Sequence, residues 1–412
     1  MSVVELTTTA IAGGGDAVAR DEDGRVVFVA GALPGERVAV ALTEERRSFA
    51  KATVVDVLDP APGRVAPPCP ELARGCGGCG WQHVDHATQL ALKATIVTEA
   101  LRRTGAVPDA EVDPGTVLPA FDFRTTLRLA VDRDGGVGYR RARSHDVIDV
   151  DTCLIAHPLL RPLVTGGRFG PASEVTLRCG ARTGERMAVV SPSASQVELP
   201  SGSDDVLVVG GDELAAGRRA WIHEHVAGRR WRISGPSFFQ ARPDGAEALV
   251  DAVGAFVGPP QRIGERLLDA YGGVGLFAGA LGAGRRTTLL ERSPSSVADA
   301  RVNLADVDAT VVRVDVDRWR PARMDVVVAD PARAGLGKDG VRAVVATRAR
   351  RLVLVSCDPA SLGRDAGLLG AAGYRWTATR LVDLFPHTPH VESVTRFDRV
   401  GGPDRQGGGR RG

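Results

Sequence analysis

The chain carries six cysteines, and their placement divides them by chemistry. Cys357 closes the apolar run Leu352 to Ser356 in RLVLVSCDPASLGRD and is followed at once by Asp358-Pro359. A thiol at the end of a buried strand is a candidate nucleophile, because a thiolate adds to electron-poor carbon and later leaves. A small hydrophobe capping a core strand is the plainer alternative. Cys69, Cys76 and Cys79 form a C-x6-C-x2-C group, with Cys153 as a candidate fourth ligand. Cysteine-only ligation with one distant member fits a 4Fe–4S cluster, and it fits a tetrahedral zinc site as well. Cys179, in LRCGAR, belongs to no motif and reads as an ordinary buried thiol.

The elements that would carry Cys357 lie downstream of residue 243. There a helix-forming stretch and strand RLLDAY precede a glycine loop, and helices then alternate with strands RTTLLE, TVVRVD, MDVVVADP and RLVLVSCDP. Such alternation implies a doubly wound parallel sheet. The loop DAYGGVGLF puts Gly272, Gly273 and Gly275 between a strand and a helix, which lets a ligand approach the backbone. No G-K-[ST] follows, and Gly275 leads into Leu276, Phe277 and Ala278, so both the Walker and the dinucleotide patterns fail. The shorter loop suits an adenosyl ligand without a pyrophosphate, and S-adenosyl-L-methionine is favoured over a dinucleotide. Glu291 ends the next strand, where an acid commonly holds a ribose hydroxyl pair. Asp315 ends the third and could face the adenine. Ligands of open α/β sheets sit beyond the carboxyl ends of the strands. Asp330 and Cys357 end the fourth and fifth strands, so they share one rim with Gly273, Glu291 and Asp315.

Upstream the rhythm differs. Residues 1–60 read as short strands broken by Gly24, Gly31 and Pro34-Gly35, a small OB-type β-barrel. Arg25, Arg37, Arg46, Arg47 and Lys51 could face single-stranded nucleic acid, and a plain structural barrel reads equally well. The proline-rich DPAPGRVAPPCP reads as a linker. Residues 61–235 then hold the cysteine group, a helix over 86–103 and a strand-rich region with turns at Asp134-Gly135-Gly136 and Gly228. The sheet domain spans 236–398, and 399–412 is expected to be a disordered basic tail.

The totals exclude several classes. At 412 residues the chain holds more than one domain, with 43% hydrophobic and 25% charged residues. No run approaches the roughly 18–20 apolar residues of a membrane helix. The start MSVVELTTTA lacks a basic, then apolar, leader. A cytoplasmic protein is expected, and the cysteines then do not form a disulfide framework. The net charge of +2 does not announce nucleic acid. Only Lys51, Lys93 and Lys338 are lysine, a bias that genome base composition also produces. A monomer is the default expectation.

Taken in order, GRVVFVAGALPGERV, PCPELARGCGGCGWQH, GPSFFQ, DAYGGVGLF, DPARAGL, VSCDPASLGRD and DLFPHTPHVESV resemble the S-adenosylmethionine-dependent RNA 5-methyluridine methyltransferases nearly end to end. The resemblance implies a TRAM-type barrel, an iron–sulfur segment and a Rossmann-like methyltransferase domain. It implies RNA as partner, ribosomal RNA favoured and transfer RNA possible, with S-adenosyl-L-methionine as donor and a 4Fe–4S cluster on Cys69, Cys76, Cys79 and Cys153. Carbon 5 of uracil is a poor nucleophile until a thiolate adds at carbon 6. By resemblance Cys357 is that thiolate, Glu392 in HVESV removes the carbon 5 proton, and Asp330 orients the uracil edge. Gln240, Tyr271, Gly273, Glu291 and Asp315, with Asp330 beside them, would hold the donor. A flipped target base is expected. Read without the family, Glu392 is a solvated carboxylate.

The chain departs from the family pattern at Gly272 (usually Cys), Asp358 (usually Asn), Arg242 (usually Asn) and Ala332 (usually Pro). The gap before Cys76 is also one residue off. Asp358 is expected to turn away, since a charge beside the thiol would oppose ionisation. The rival readings are a radical enzyme, an amino-group methyltransferase and a non-catalytic RNA-binding protein. The first wants C-x3-C-x2-C, the second an aromatic where Arg333 stands, and the third has no need of Cys357 with Glu392.

Overall fold

The computed structural model describes residues 3–141, 144 and 146–401. His145 and most of the expected basic tail, from residue 402 on, lie outside the described residues.

Strands β1 (Val3–Ile11), β2 (Ala17–Arg20), β3 (Val26–Ala30), β4 (Arg37–Glu45) and β5 (Phe49–Asp59) close a barrel in the order β1-β2-β3-β5-β4. Alternation puts Ala17, Ala19, Val27, Val29, Val38, Val40, Ala50 and Ala52 inside, and their small volumes fit so narrow an interior. Fully buried Glu36 accepts hydrogen bonds from the Leu33 and Ala61 amides and from Arg64, so the proline-rich linker is fastened to the barrel.

Short helix α1 (Pro70–Ala73) follows, then α2 (His86–Arg103), whose start is capped by the Asp85 side chain on the Thr88 amide. After β6 (Val112–Asp113) the central region holds β7 (Thr126–Val131), β8 (Val137–Arg140), β9 (Val147–Asp149), α3 (Arg161–Gly166), β10 (Glu174–Cys179), β11 (Arg186–Ser191), β12 (Val206–Gly210), α4 (Gly211–Ala215), β13 (Trp221–Val226) and β14 (Arg229–Ser234). Six of these strands form a sheet ordered β12-β11-β10-β7-β8-β9, and β13 and β14 form a separate hairpin. That hairpin turns on Ala227 and Gly228, both with positive φ, as a two-residue connection of right-twisted strands requires.

The third region runs α5 (Pro243–Val257), β15 (Glu265–Ala270), α6 (Leu276–Leu281), β16 (Arg285–Glu291), α7 (Pro294–Asn303), β17 (Ala309–Arg313), β18 (Val326–Ala329), α8 (Gly337–Ala346), β19 (Arg351–Ser356), α9 (Pro359–Ala371), β20 (Tyr374–Leu381) and β21 (Ser393–Arg399). Its sheet has the order β17-β16-β15-β18-β19-β21-β20-β6. The first five strands are parallel, and β18 and most of β19 are buried, as strands covered on both faces are. The five strands expected to be parallel are so, and beyond them β21 runs antiparallel between β19 and β20. The chain leaves β20 and returns beside β19 without a crossover helix, and that return carries Glu392 to the rim.

Helix α2 packs on α9, closely enough that a Cβ on Gly363 would lie 2.6 Å from the Ala100 carbonyl. No helix among the described residues is long and apolar enough to cross a membrane.

Candidate active site

At the end of β15 the chain makes a sharp turn. Tyr271, Gly273 and Gly275 all have positive φ, a conformation that a non-glycine residue such as Tyr271 adopts at a cost. The Gly273 amide donates to Glu291 Oε2 at 3.1 Å, and the Ser293 amide to Oε1 at 2.6 Å. Strand pairing thus sets the acid of β16 against the loop of β15. A Cβ on Gly273 would meet nothing within 4 Å, so open space lies over the loop. Beneath it Asp269 is fully buried, with Oδ2 accepting from the Ala278 amide at 2.8 Å and Oδ1 unpartnered. Burial first, then the Asp330 and Glu291 charges, push its carboxyl up to about 7. Asp269 was visible in the D-x-Y-G-G-x-G pattern but had no role there, since nothing in the sequence says it lies under the loop. Burial, and the nearby Asp317, Asp365 and Asp315, push the Tyr271 hydroxyl up to about 12. Gln240 is buried at the end of the GPSFFQ stretch. That stretch is anchored by Arg178 on the Ser234 and Ser237 carbonyls and by Asp299 on Ser237 Oγ, while Phe238 stands 68% exposed.

The thiol side is set by the β19–β21 ladder. Its last pair is Ser356 with Ser393, so one step further puts Cys357 opposite Glu392. Residues facing each other in an antiparallel ladder lie about 5 Å apart. Asp330 follows β18, next to β19, its amide bonded to the Ala270 carbonyl. Burial pushes the Cys357 thiol up to about 11; the Glu392 and Asp330 carboxylates push the same way, and Arg333 opposes them. Burial also raises both carboxyls, and Asp330 raises Glu392 further. Glu392 is therefore a buried carboxyl in contact with the reacting rim, not a solvated one. Asp358 turns away, as expected: it caps α9 by accepting from the Ser361 amide at 2.7 Å.

Two other departures have physical accounts. Arg242 is 1% exposed, chelates Asp244, reaches the Asp383 and Pro119 carbonyls and lies over the Phe123 ring at 4.4 Å. It anchors the start of α5 to Pro119 and to the loop after β20. At Gly272 a Cβ would fall 2.6 Å from Leu289 Cγ, so Leu289 fills the room that a side chain there would need.

Between β20 and Glu392 the chain is held by α2. Lys93 Nζ donates to the Phe385 carbonyl at 2.9 Å and lies 3.5 Å from Asp383 Oδ1. His86 Nε2 meets Asp383 Oδ2 at 2.5 Å, and Gln89 accepts from the His387 amide at 2.7 Å. These clamp residues gave no sequence signal, because their partners lie almost 300 positions away.

Cys69, Cys76, Cys79 and Cys153 line one cavity of about 290 Å³, and none is in a disulfide. Burial pushes Cys79 up to about 12, with Cys153 and Cys76 adding to it, so the thiols feel one another. No group of three or more His, Cys, Asp or Glu among the described residues is arranged to hold a metal ion. The donor set suits iron–sulfur or zinc in kind, and the expected cluster is not shown by this arrangement. Cys179 is buried in β10, apart from that cavity.

A glycine loop with an acid on the next strand, at the carboxyl rim of a parallel sheet, defines a Rossmann-like methyltransferase domain. Residues 2–55 match the TRAM domain. The chain is 37% identical to an RNA methyltransferase of Streptomyces avermitilis, over 95% of this chain and 96% of that one. It is 33% identical to the 23S rRNA (uracil(1939)-C(5))-methyltransferase RlmD of Alkalilimnicola ehrlichii, over 96% of each. Its fold matches the tRNA (uracil-54, C5)-methyltransferase of Pyrococcus abyssi with a TM-score of 0.73 at 23% identity, over 95% of this chain and 99% of that one. The chain belongs to the family of RNA uracil-C5 methyltransferases.

Proposed function

We propose that this protein methylates carbon 5 of a specific uridine in RNA, with S-adenosylmethionine as donor, through a transient bond between Cys357 Sγ and carbon 6. The observation that carries this reading is that Cys357 and Glu392 follow the last pair of one ladder, Ser356 with Ser393, and that the Glu392 and Asp330 carboxyls act on the Cys357 thiol. The open space over Gly273 and the acid of Glu291 fit an adenosyl group, which supplies an electrophilic methyl when bound.

Cys357 rests as a thiol and gives its proton to solvent as the carbon–sulfur bond forms. Arg333 and the start of α9 favour the thiolate. Electron density then moves to carbon 5, which takes the methyl group. Glu392 removes the carbon 5 proton, and the Cys357 thiolate leaves as the double bond returns. A carboxylate whose affinity for protons is raised by burial is a stronger base once ionised. Asp330, raised the same way, can donate to a uracil oxygen while protonated.

Ribosomal RNA is the favoured substrate, because the RlmD relative is named for it and matches along nearly the whole chain. The four cysteines would hold a 4Fe–4S cluster, which methyl transfer does not use as an electron carrier; their role is to shape the RNA-facing cavity. RNA containing 5-fluorouridine tests the chemistry, since fluorine at carbon 5 cannot be removed by a base. A covalent protein–RNA adduct is expected with the parent protein and none with Cys357→Ala. Absence of an adduct from the parent protein, with methylation intact, would overturn the thiol route.

A further inference from the structure

Helix α2 buries a lysine against the loop that leads to Glu392. Lys93 is 3% exposed, so it is no contact for an RNA phosphate. Burial pushes its ammonium down to about 8, against the pull of Asp383. Asp383 is itself buried, and α2 engages both of its carboxylate oxygens. Oδ2 meets His86 Nε2 at 2.5 Å, and Oδ1 faces Lys93 Nζ at 3.5 Å. A buried pair of this kind is a poor device for stability, because desolvation offsets its attraction. What it can do is fix a position, since moving either charge leaves the other unpaired.

The position it fixes is one residue away from a backbone bond to the base. Asp383 opens loop 383–391, which joins β20 to Glu392 and β21. At the foot of that loop the Val382 amide donates to the Glu392 carbonyl at 2.9 Å. Glu392 is thus placed from two sides, by Val382 and by the neighbouring Ser356–Ser393 pair. Burial and the Asp330 charge act on its carboxyl, and no hydrogen bond among the described residues directs it. Its aim therefore follows the backbone that carries it. We propose that Lys93 is a positioning residue for the base: through Asp383, and together with His86, it holds Glu392 where it can take the carbon 5 proton. Lys93 then acts on elimination alone. In that step the proton passes to the Glu392 carboxylate, the carbon–hydrogen pair restores the double bond, and the carbon–sulfur pair leaves with Cys357. Thiol addition and methyl transfer come earlier and do not use Glu392.

This role rests on the uracil-methylation reading, and two RNAs separate them. Uridine RNA reports every step. With 5-fluorouridine RNA the reaction stops before the base acts, so adduct formation reports only addition and methyl transfer. A displacement of about 1 Å in a catalytic group costs roughly 10²-fold. Lys93→Met should accordingly slow single-turnover methylation of uridine RNA by roughly 10- to 100-fold and let a methylated covalent adduct accumulate on denaturing gels. Adduct formation with 5-fluorouridine RNA should keep the parent rate. His86→Ala, at a partly exposed site, should show the same split more weakly. Where Lys93→Met does not fold, combining it with Asp383→Asn removes both charges; that protein should fold and show the same slow elimination. Equal losses on the two RNAs, or parent turnover in the folded variants, would overturn the positioning role. Absence of a 5-fluorouridine adduct from the parent protein would instead overturn the reading beneath it.

Discussion

The two sulfur-bearing regions of this molecule are built on opposite plans. Cys357 is placed by a ladder: β19 and β21 are paired residue by residue, and continuing the pairing puts a carboxyl opposite the thiol. Cys69, Cys76, Cys79 and Cys153 all lie outside the strands and face one cavity from separate turns. A ladder fixes positions through many shared backbone bonds, so the proposed catalytic pair needs no ligand to hold it together. The four thiols are held by scattered contacts instead, such as the Cys69 amide on Gln82 and the Cys76 amide on the Glu71 carbonyl. One region is framed by a continuous ladder, and the other is assembled from separate loops.

That contrast can be broken most sharply at Cys357. Replacement by Ala should lower turnover by about 10⁴-fold or more while leaving the unfolding midpoint nearly unchanged, as measured by single-turnover methylation and thermal melts. Glu392→Gln should reduce turnover by roughly 10²–10⁴-fold and let a methylated covalent adduct accumulate, visible on denaturing gels. Cys79→Ser should do the reverse: it should remove any iron–sulfur absorbance and lower the unfolding midpoint by several degrees, while 5-fluorouridine RNA still traps Cys357. A Cys79→Ser protein as stable as the parent would end the distinction. In the neutral to mildly alkaline range kcat/KM should rise with pH, because the thiol is pushed up to about 11 and its reactive form grows as protons leave. Arg333→Ala should shift that rise to higher pH, costing several-fold at neutrality, since Arg333 favours the thiolate. The smallest expected effect is at Asp269. Its carboxyl titrates at about 7 in the fold against 3.8 for the ordinary group, so folding holds its proton more tightly. Stability is therefore lost as pH rises from about 4 to 7 and is flat above, and Asp269→Asn should gain about 1 kcal/mol or more at pH 8 over its gain at pH 4.

The parts legible in the sequence were those written in local patterns. The helix 86–103, the glycine loop and the parallel strands each announce themselves within a dozen residues. Cys357, Asp330 and Glu291 could be put on one rim because strand ends share an edge. The antiparallel return of β21 was not legible, since a short strand with ordinary alternation does not state its direction. Glu392 looked solvated for that reason; only the pairing with β19 shows it buried. Lys93, His86 and Gln89 were invisible because a single lysine or glutamine on a helix carries no mark of a partner in a distant loop. His387 carries no mark of its surroundings in the sequence, as its two unpaired nitrogens exist only in three dimensions.

The clamp from α2 to the Asp383–His387 loop joins residues separated by 292 to 298 positions. A chain emerging from the ribosome makes the helix early and the loop almost last. During most of synthesis Lys93 lacks the Asp383 charge and Cys357 has no partner strand. Domains that fold as they emerge can form the barrel first, but competence for methyl transfer must arrive in one late step. A prematurely terminated product would lack β21 and with it the strand that sets Glu392 opposite Cys357.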